Sequence, residues 1–468
     1  MGSNENSVRF EAFFAELANQ GRTIVREQPK LDLELYIQNY KGRTRFDRLF
    51  HIGRTSTVLS VDALKAAVAE AKAGKDVERY QDAVETLRHV SRNDPETELD
   101  KAWIDKISSS NKKETQHLES QLKVYRSNLV KESVRIGNED LGRHYEAIGS
   151  LQKAAEVFGN MRTDASTPKH LIDVGKHLAR VGVQLRDWGM VMLQLSKLTS
   201  LQSQEAHEDA SATLRYVNIA KGLVHLDGEA FKEAAQCFLS VDNSPRLASE
   251  RDIPSPNDIA VYGAILALAT MDRAALKAKV LESPTFRPFL ELEPHLRKAL
   301  GLYVNGKYTA CLEILESYKT DYLLDLYLYR HVEALYKQIR TKCIVQYLIP
   351  YACIKLESLE AAFGRPGQSI GVELCEMIRS GVLSARIDSI DKLLVQVTPD
   401  PRAVLQRDTL EAVKWHEKQT LDDIRRNGLI ALNLDVAVRR HGSGRMGEGQ
   451  GMNEVWYSEG RDPMELVT

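Results

Sequence analysis

The residues that could carry a reaction are few, and each grouping lacks a member it would need. Gly301-Leu302-Tyr303-Val304-Asn305-Gly306-Lys307-Tyr308 spaces its glycines and lysine like a phosphate-binding loop. Such a loop needs a Ser or Thr hydroxyl after the lysine to hold magnesium, and a strand leading into a helix. Tyr308 stands in that place and the flanks are helical on both sides, so the segment reads as an inter-helix turn. His207-Glu208 and His416-Glu417 open like zinc-protease helices, but Ser211 and Thr420 replace the second histidine ligand. No two histidines are separated by a single position, so a His-x-His zinc pair is missing. His170 and His177 lie two turns apart on a helical stretch, where a packed histidine is the commoner role. The cysteines Cys237, Cys311, Cys343, Cys353 and Cys375 form no Cys-x-x-Cys and read as small core residues in a reducing compartment. The expectation is a chain with no catalytic residue, metal or cofactor of its own.

The elements that would have to position a site are almost all helical. Asp100 to Ile136 reads as one long polar helix, with Leu118, Leu122, Tyr125 and Leu129 on one side. From Lys131 the pattern repeats. Leu141-Gly142 followed by Ala154, Ala155 and Phe158 has the cadence of a helical hairpin, in which small residues let two helices approach and an aromatic caps the contact. The cadence returns at Ala220 to Phe238, at Val261 to Leu281 and at Leu296 to Leu315. Turns at Gly149, Asp187, Gly228, Asp272 and Gly306 fall roughly 35–45 residues apart, the period of stacked helix pairs. The reading is an all-α, tetratricopeptide-like, right-handed solenoid, with polar loops at Thr199–Ser211 and Asn243–Asp258. Tyr318 to Tyr351 is read as a helical, aromatic-rich joint.

Lys355 to Val397 breaks the pattern. Leu356, Leu359 and Phe363 mark one helix, and Ile370, Leu374, Met377 and Ile378 a second that Gly381 ends. The period then changes to two. Leu383, Ala385 and Ile387 form one alternating run, Leu393, Val395 and Val397 another, and Asp388–Asp391 a turn between them. Helix, turn, helix and hairpin make a winged helix. As a DNA reader it would need basic residues on its second helix, but that helix offers Glu373 and Glu376 against Arg379, so acidic side chains oppose the phosphates. The net charge of −2 likewise argues against a polyanion-coating protein. No apolar run is long enough to cross a bilayer. The predicted parts are a flexible segment at 1–30, a helical region at 31–130, the solenoid at 131–339, the winged helix at 340–400, a terminal helix and extension at 401–440, and a disordered Gly-rich tail at 441–468. Leu410, Val413, Leu421 and Ile424 give the terminal helix one apolar stripe.

Solenoid followed by winged helix is similar to the PCI domains of the proteasome lid, the COP-nine signalosome and translation initiation factor three. Several stretches resemble the subunit-one family of the signalosome more closely: Leu33 to Gly42 with Arg45 to Leu49, Ser133 to Gly142, Asp258 to Arg273, Phe289 to Pro294, Leu323 to Leu328 and Gly381 to Ser389. The proteasome-lid paralogue stands as the alternative, a DNA-binding regulator behind it. The resemblance implies a non-catalytic scaffold in the complex that removes NEDD8 from cullins and so resets cullin–RING ubiquitin ligases. It implies partnership with other PCI subunits and with MPN/JAMM subunits, one of which carries the zinc, and residence in cytoplasm and nucleus. It further implies that the winged-helix edge (Leu383, Ala385 and Ile387, or Leu393, Val395 and Val397) meets a neighbouring subunit. The stripe Leu410, Val413, Leu421 and Ile424 would then enter a shared helix bundle.

Overall fold

The computed structural model describes residues 2–91, 94–201, 207–242, 254–365, 367, 369–397 and 401–432. The chain to Gln396 is one compact unit, and the residues from Val397 onward form a second. Five helices open the first: α1 (Gly2–Asn19), α2 (Leu33–Gln38), α3 (Gly42–Thr55), α4 (Ser60–Ala73) and α5 (Val77–Val90). Part of the segment expected to be flexible at 1–30 is packed and hydrogen-bonded. Phe14 and Leu17 of α1 are buried, Val25 bridges to Ser56, and the N–H groups of Lys30 and Leu31 donate to Asp321 Oδ1 at 2.9 and 3.3 Å. The expected long helix is two, α6 (Lys101–Ser127) and α7 (Lys131–Ala147), because Leu129 adopts φ 57° and turns the chain. Leu122 is buried under this corner, whereas Leu129 is 85% exposed.

The repeat continues with α8 (Leu151–Asp164), α9 (Pro168–Leu185), α10 (Trp188–Leu201), α11 (His207–Asp227) and α12 (Phe231–Leu239). Small residues decide how closely these helices pack. A Cβ on Gly142 would lie 2.5 Å from the Phe158 ring, and one on Gly222 2.7 Å from Phe238. The same glycine-under-aromatic joint thus recurs two hairpins apart. The two expected loops are shorter than read. Thr199–Leu201 ends α10 and His207–Ser211 begins α11, while the residues between lie outside the described set. Pro256, expected to break a helix, starts one at its first position, where a missing N–H costs nothing. Ser255 and Asp258 close a capping box around it.

That helix, α13 (Pro256–Thr270), is buried around its whole circumference and forms the axis of the largest core. The core continues through α14 (Arg273–Leu276), α15 (Arg287–Leu292), α16 (Pro294–Val304), α17 (Tyr308–Leu323) and α18 (Val332–Leu348). Tyr318 to Tyr351 is therefore not one helical joint, because turns at 324–331 separate α17 from α18. The 339/340 boundary falls inside α18, whose Ile339, Cys343 and Ile344 sit in the same core as Leu359, Leu374 and Leu394 of the winged helix. Stack and wing share an interior.

The winged helix runs β1 (Cys353–Lys355), α19 (Leu356–Phe363), α20 (Ile370–Arg379), β2 (Ala385–Asp388) and β3 (Leu393–Gln396). Both helices bury most of the stripes read from sequence, with Leu356 and Ile378 half-buried, and Gly381 at φ 74° ends α20. The second unit contributes α21 (Pro401–Ala431), longer than the helix expected from about Val404 to Arg426 and passing through Gly428. The Gly-rich tail at 441–468 and the end of the extension, from 433, lie outside the described residues.

Candidate functional site

Among the described residues three features stand out as candidates for function. The first is the sheet of the winged helix. Its strand order is β1-β3-β2, all antiparallel, so β3 lies in the middle and β1 and β2 are the edges. Leu393 and Val395 therefore cannot form an edge, and Val397 lies just past the strand. Their inward face is also displaced by one residue: Leu394 is buried, whereas Val395 is 40% exposed. On the β2 side, Leu383 and Ala385 are buried and Ile387 half-buried, so the wing keeps them for its own core. The edge missed from sequence is β1. Gln396 N–H donates to Ala352 C=O and Leu356 N–H to Lys392 C=O, so the even residues face β3. The main-chain groups of Cys353 and Lys355 turn away from it, by the alternation of an antiparallel ladder. By the same alternation Ala385 and Ile387 present the outward groups of β2.

The second feature is α21. None of its residues is buried, and Leu410, Val413, Leu421 and Ile424 are 56%, 64%, 47% and 62% exposed. Leu405 and Trp415 are exposed with them.

The third is a buried ionic knot that periodicity does not announce, although its residues all fall within the stretches that carry the family resemblance. Arg48 of α3 is 1% exposed and reaches two carboxylates, Asp258 Oδ2 at 2.7 Å and Asp325 Oδ2 at 2.8 Å. Tyr40 donates its hydroxyl to Asp258 at 2.6 Å, and its ring lies 4.1 Å beneath the guanidinium. Asp325 also accepts from the Tyr262 hydroxyl at 2.7 Å and from the N–H groups of Tyr327 and Leu328 at 2.9 and 2.8 Å. Burial alone would raise Asp325, but Arg48 and these donors hold it below the usual carboxylate range. Burial raises Asp258, against the pull of Arg48. The knot joins α2 and α3 to α13 and to the 324–331 turns.

The sequence motifs that approached enzymes have structural places. Gly306 makes the α16–α17 turn at φ 76°. His177 stacks on Phe158 with centroids 4.8 Å apart, and His170 Nδ1 lies 3.8 Å from Glu132. Among the described residues no group of His, Cys, Asp and Glu could hold a metal ion. Cys311 and Cys343 are core residues, and burial pushes the Cys311 thiol up to about 12. Cys353 and Cys375 are exposed, contrary to expectation, because they fall on the outer faces of β1 and α20.

The packed histidines carry a pH prediction. Burial brings His51 down to about 4, and burial with the neighbouring Arg180 does the same for His177. The unfolded chain protonates both near pH 6.5 while the folded chain keeps them neutral. Stability is then intact above that pH and falls as pH drops towards 4, by up to about 1.4 kcal/mol per pH unit for each group. The urea midpoint should be lower near pH 5 than near pH 7.5. Equal midpoints would mean that both rings titrate normally.

The comparisons with known proteins agree with this architecture. The family model described as 26S proteasome subunit RPN7 matches residues 100–279, and that described as PCI domain matches residues 315–396. The COP9 signalosome complex subunit 1 of Neurospora crassa is 46% identical over 447 residues, covering 96% of each chain. That of Emericella nidulans is 42% identical, covering 88% of this chain and 84% of the relative. The 26S proteasome non-ATPase regulatory subunit 6 of rice (Oryza sativa subsp. japonica) is more distant, 23% identical over 67% of this chain. With a PCI winged helix closing a helical-repeat stack, and with this likeness along almost its whole length, the chain belongs to the COP9 signalosome complex subunit 1 family.

Proposed function

We propose that this protein is a non-catalytic scaffold in a signalosome-type assembly, working in cytoplasm and nucleus, that removes NEDD8 from cullins and so resets cullin–RING ubiquitin ligases. Its partners in this reading are other PCI subunits, which meet the winged-helix edge and the terminal helix, and MPN/JAMM subunits, one of which holds the catalytic zinc. The observation that carries the reading is α21: a 31-residue helix that keeps Leu410, Val413, Leu421 and Ile424 in water. A helix is held mainly by burying an apolar face, and a stripe of this kind is suited to a bundle with helices from other chains. The open edge of β1 supplies a second contact, by strand addition. Purifying the tagged protein from its own cells and identifying its companions by mass tests the reading. PCI and JAMM-type subunits in constant ratio support it, and a chain that purifies alone refutes it.

The edge has its own test. Lys355 has φ −71°, close to the angle proline imposes, and its N–H points away from β3. Lys355→Pro should therefore leave the wing folded, within about 1 kcal/mol, while removing a donor that a neighbouring strand would use. Reduced co-purification of one companion with an unchanged unfolding midpoint is the expected result. Undiminished co-purification would take β1 out of the interface.

A further inference from the structure

A cavity of about 730 Å³ opens between the N-terminal helices, α9, α11 and the 324–331 turns. Its cations are all arginine: Arg22, Arg54, Arg79, Arg180, Arg186 and Arg330. The carboxylates in the lining are Asp47 and Glu333, so four positive charges stand in excess. Some of these arginines are engaged within the protein. Arg79 meets Asp47 at 3.0 Å, Arg180 meets Glu146 at 2.7 Å, and Arg330 lies 3.8 Å from Asp227. Arg22, Arg54 and Arg186 have no carboxylate within 4.0 Å among the described residues. Two polar atoms of the wall, Arg54 Nε and His51 Nε2, are buried without a hydrogen-bond partner in the protein. Burial and the nearby Arg22 both lower Arg54, as expected of like charges crowded together.

Positive charge gathered in a concave, partly dry site repels itself and is relieved by a bound anion. The absence of lysine from the lining narrows the chemistry. A guanidinium presents a rigid fork that fits phosphate or carboxylate oxygens in pairs, whereas an ammonium offers a point charge. The volume lies within the range of about 300–1,000 Å³ typical of small-molecule sites. The wall is built from helices and turns, with no strand edge along which an extended acidic peptide could pair. We propose that this arginine-lined cavity binds a small molecule carrying several phosphate groups. Its arginines come from the chain after α1, from α3 and α5, from the solenoid and from the turns before α18, so such a ligand clamps the N-terminal helices to the stack.

The test uses the full-length protein and inorganic tripolyphosphate as the probe, followed by titration calorimetry and thermal unfolding at physiological ionic strength. Saturable one-site binding with a raised unfolding midpoint is expected, and orthophosphate should bind more weakly. Arg54→Gln and Arg186→Gln should each weaken tripolyphosphate binding about tenfold, the value of one charge-assisted contact. Arg22→Gln, at an exposed position with little bearing on folding, should do the same, with circular dichroism unchanged. Arg287→Gln, on α15 away from the cavity, is the control and should bind as the native chain does. The proposal is overturned if binding does not saturate or if Arg287→Gln weakens it as much as Arg54→Gln. It is also overturned if a glutamate-rich peptide of equal charge binds more tightly than tripolyphosphate.

Discussion

Replacing Arg48 by methionine should destabilise the compact unit by about 3–5 kcal/mol, a large share of the roughly 5–15 kcal/mol that holds a typical domain folded. Methionine fills much of the same volume, so the loss is electrostatic more than steric. With the guanidinium gone, Asp258 and Asp325 remain buried around the space it filled, and one must take up a proton or the site must open. The damage should centre on the junction the knot makes, freeing α2 and α3 from α13 and exposing the chain between α3 and α4 to protease. Urea unfolding and limited proteolysis read both effects. Adding Asp258→Asn and Asp325→Asn to Arg48→Met removes the stranded charge and should recover part of the loss, because a neutral, hydrogen-bonded set costs less to bury than an unpaired ion. A loss below about 1 kcal/mol for Arg48→Met would show that the knot leaves the junction's stability unchanged.

No periodicity marks that knot, although Arg48, Asp258 and Asp325 each fall within a stretch that resembles the signalosome family. Arg48 lies 210 positions from Asp258 and 277 from Asp325, and each sits in a stretch whose local pattern reads as ordinary helix or turn. Periodicity reports which face of an element is apolar; it is silent about which distant elements share a polar contact. The helical hairpins were legible because the small residue and the aromatic that meet lie within one repeat, as Gly142 and Phe158 do. The wing was legible as a change of period, but its details were not. Cys353-Ile354-Lys355 is too short to show an alternation, so β1 is not legible and β3 stands as one of two possible edges. Leu393-Leu394-Val395 is apolar at every position, and without a polar residue between them the buried face could be assigned one residue out of register. The six arginines of the cavity come from six separate helices and turns, and their convergence belongs to the tertiary structure alone.

Ile424→Asp should abolish entry into an assembly while leaving the chain's own stability unchanged, and the contrast between those two readouts is what gives the experiment force. In the isolated protein Ile424 is 62% exposed, so a polar replacement there removes almost no buried surface. A surface change of this kind typically alters stability by no more than about 0.5 kcal/mol. Within a helix bundle the same position would be dry. The aspartate would then lose the burial of the isoleucine side chain and bring an unpaired charge into the interface. Together these cost about 3–5 kcal/mol, or roughly a thousandfold in affinity. Val413→Asp, three helical turns earlier and 64% exposed, should behave alike, whereas Lys418→Asp, a polar position near the middle of the helix, should be tolerated. Co-purification measures the first effect and urea unfolding the second. If Ile424→Asp and Val413→Asp both retained every companion, α21 would not be the assembly helix. If either lowered the chain's own unfolding free energy by more than about 1 kcal/mol, the stripe would serve this chain's own fold and not a partner's.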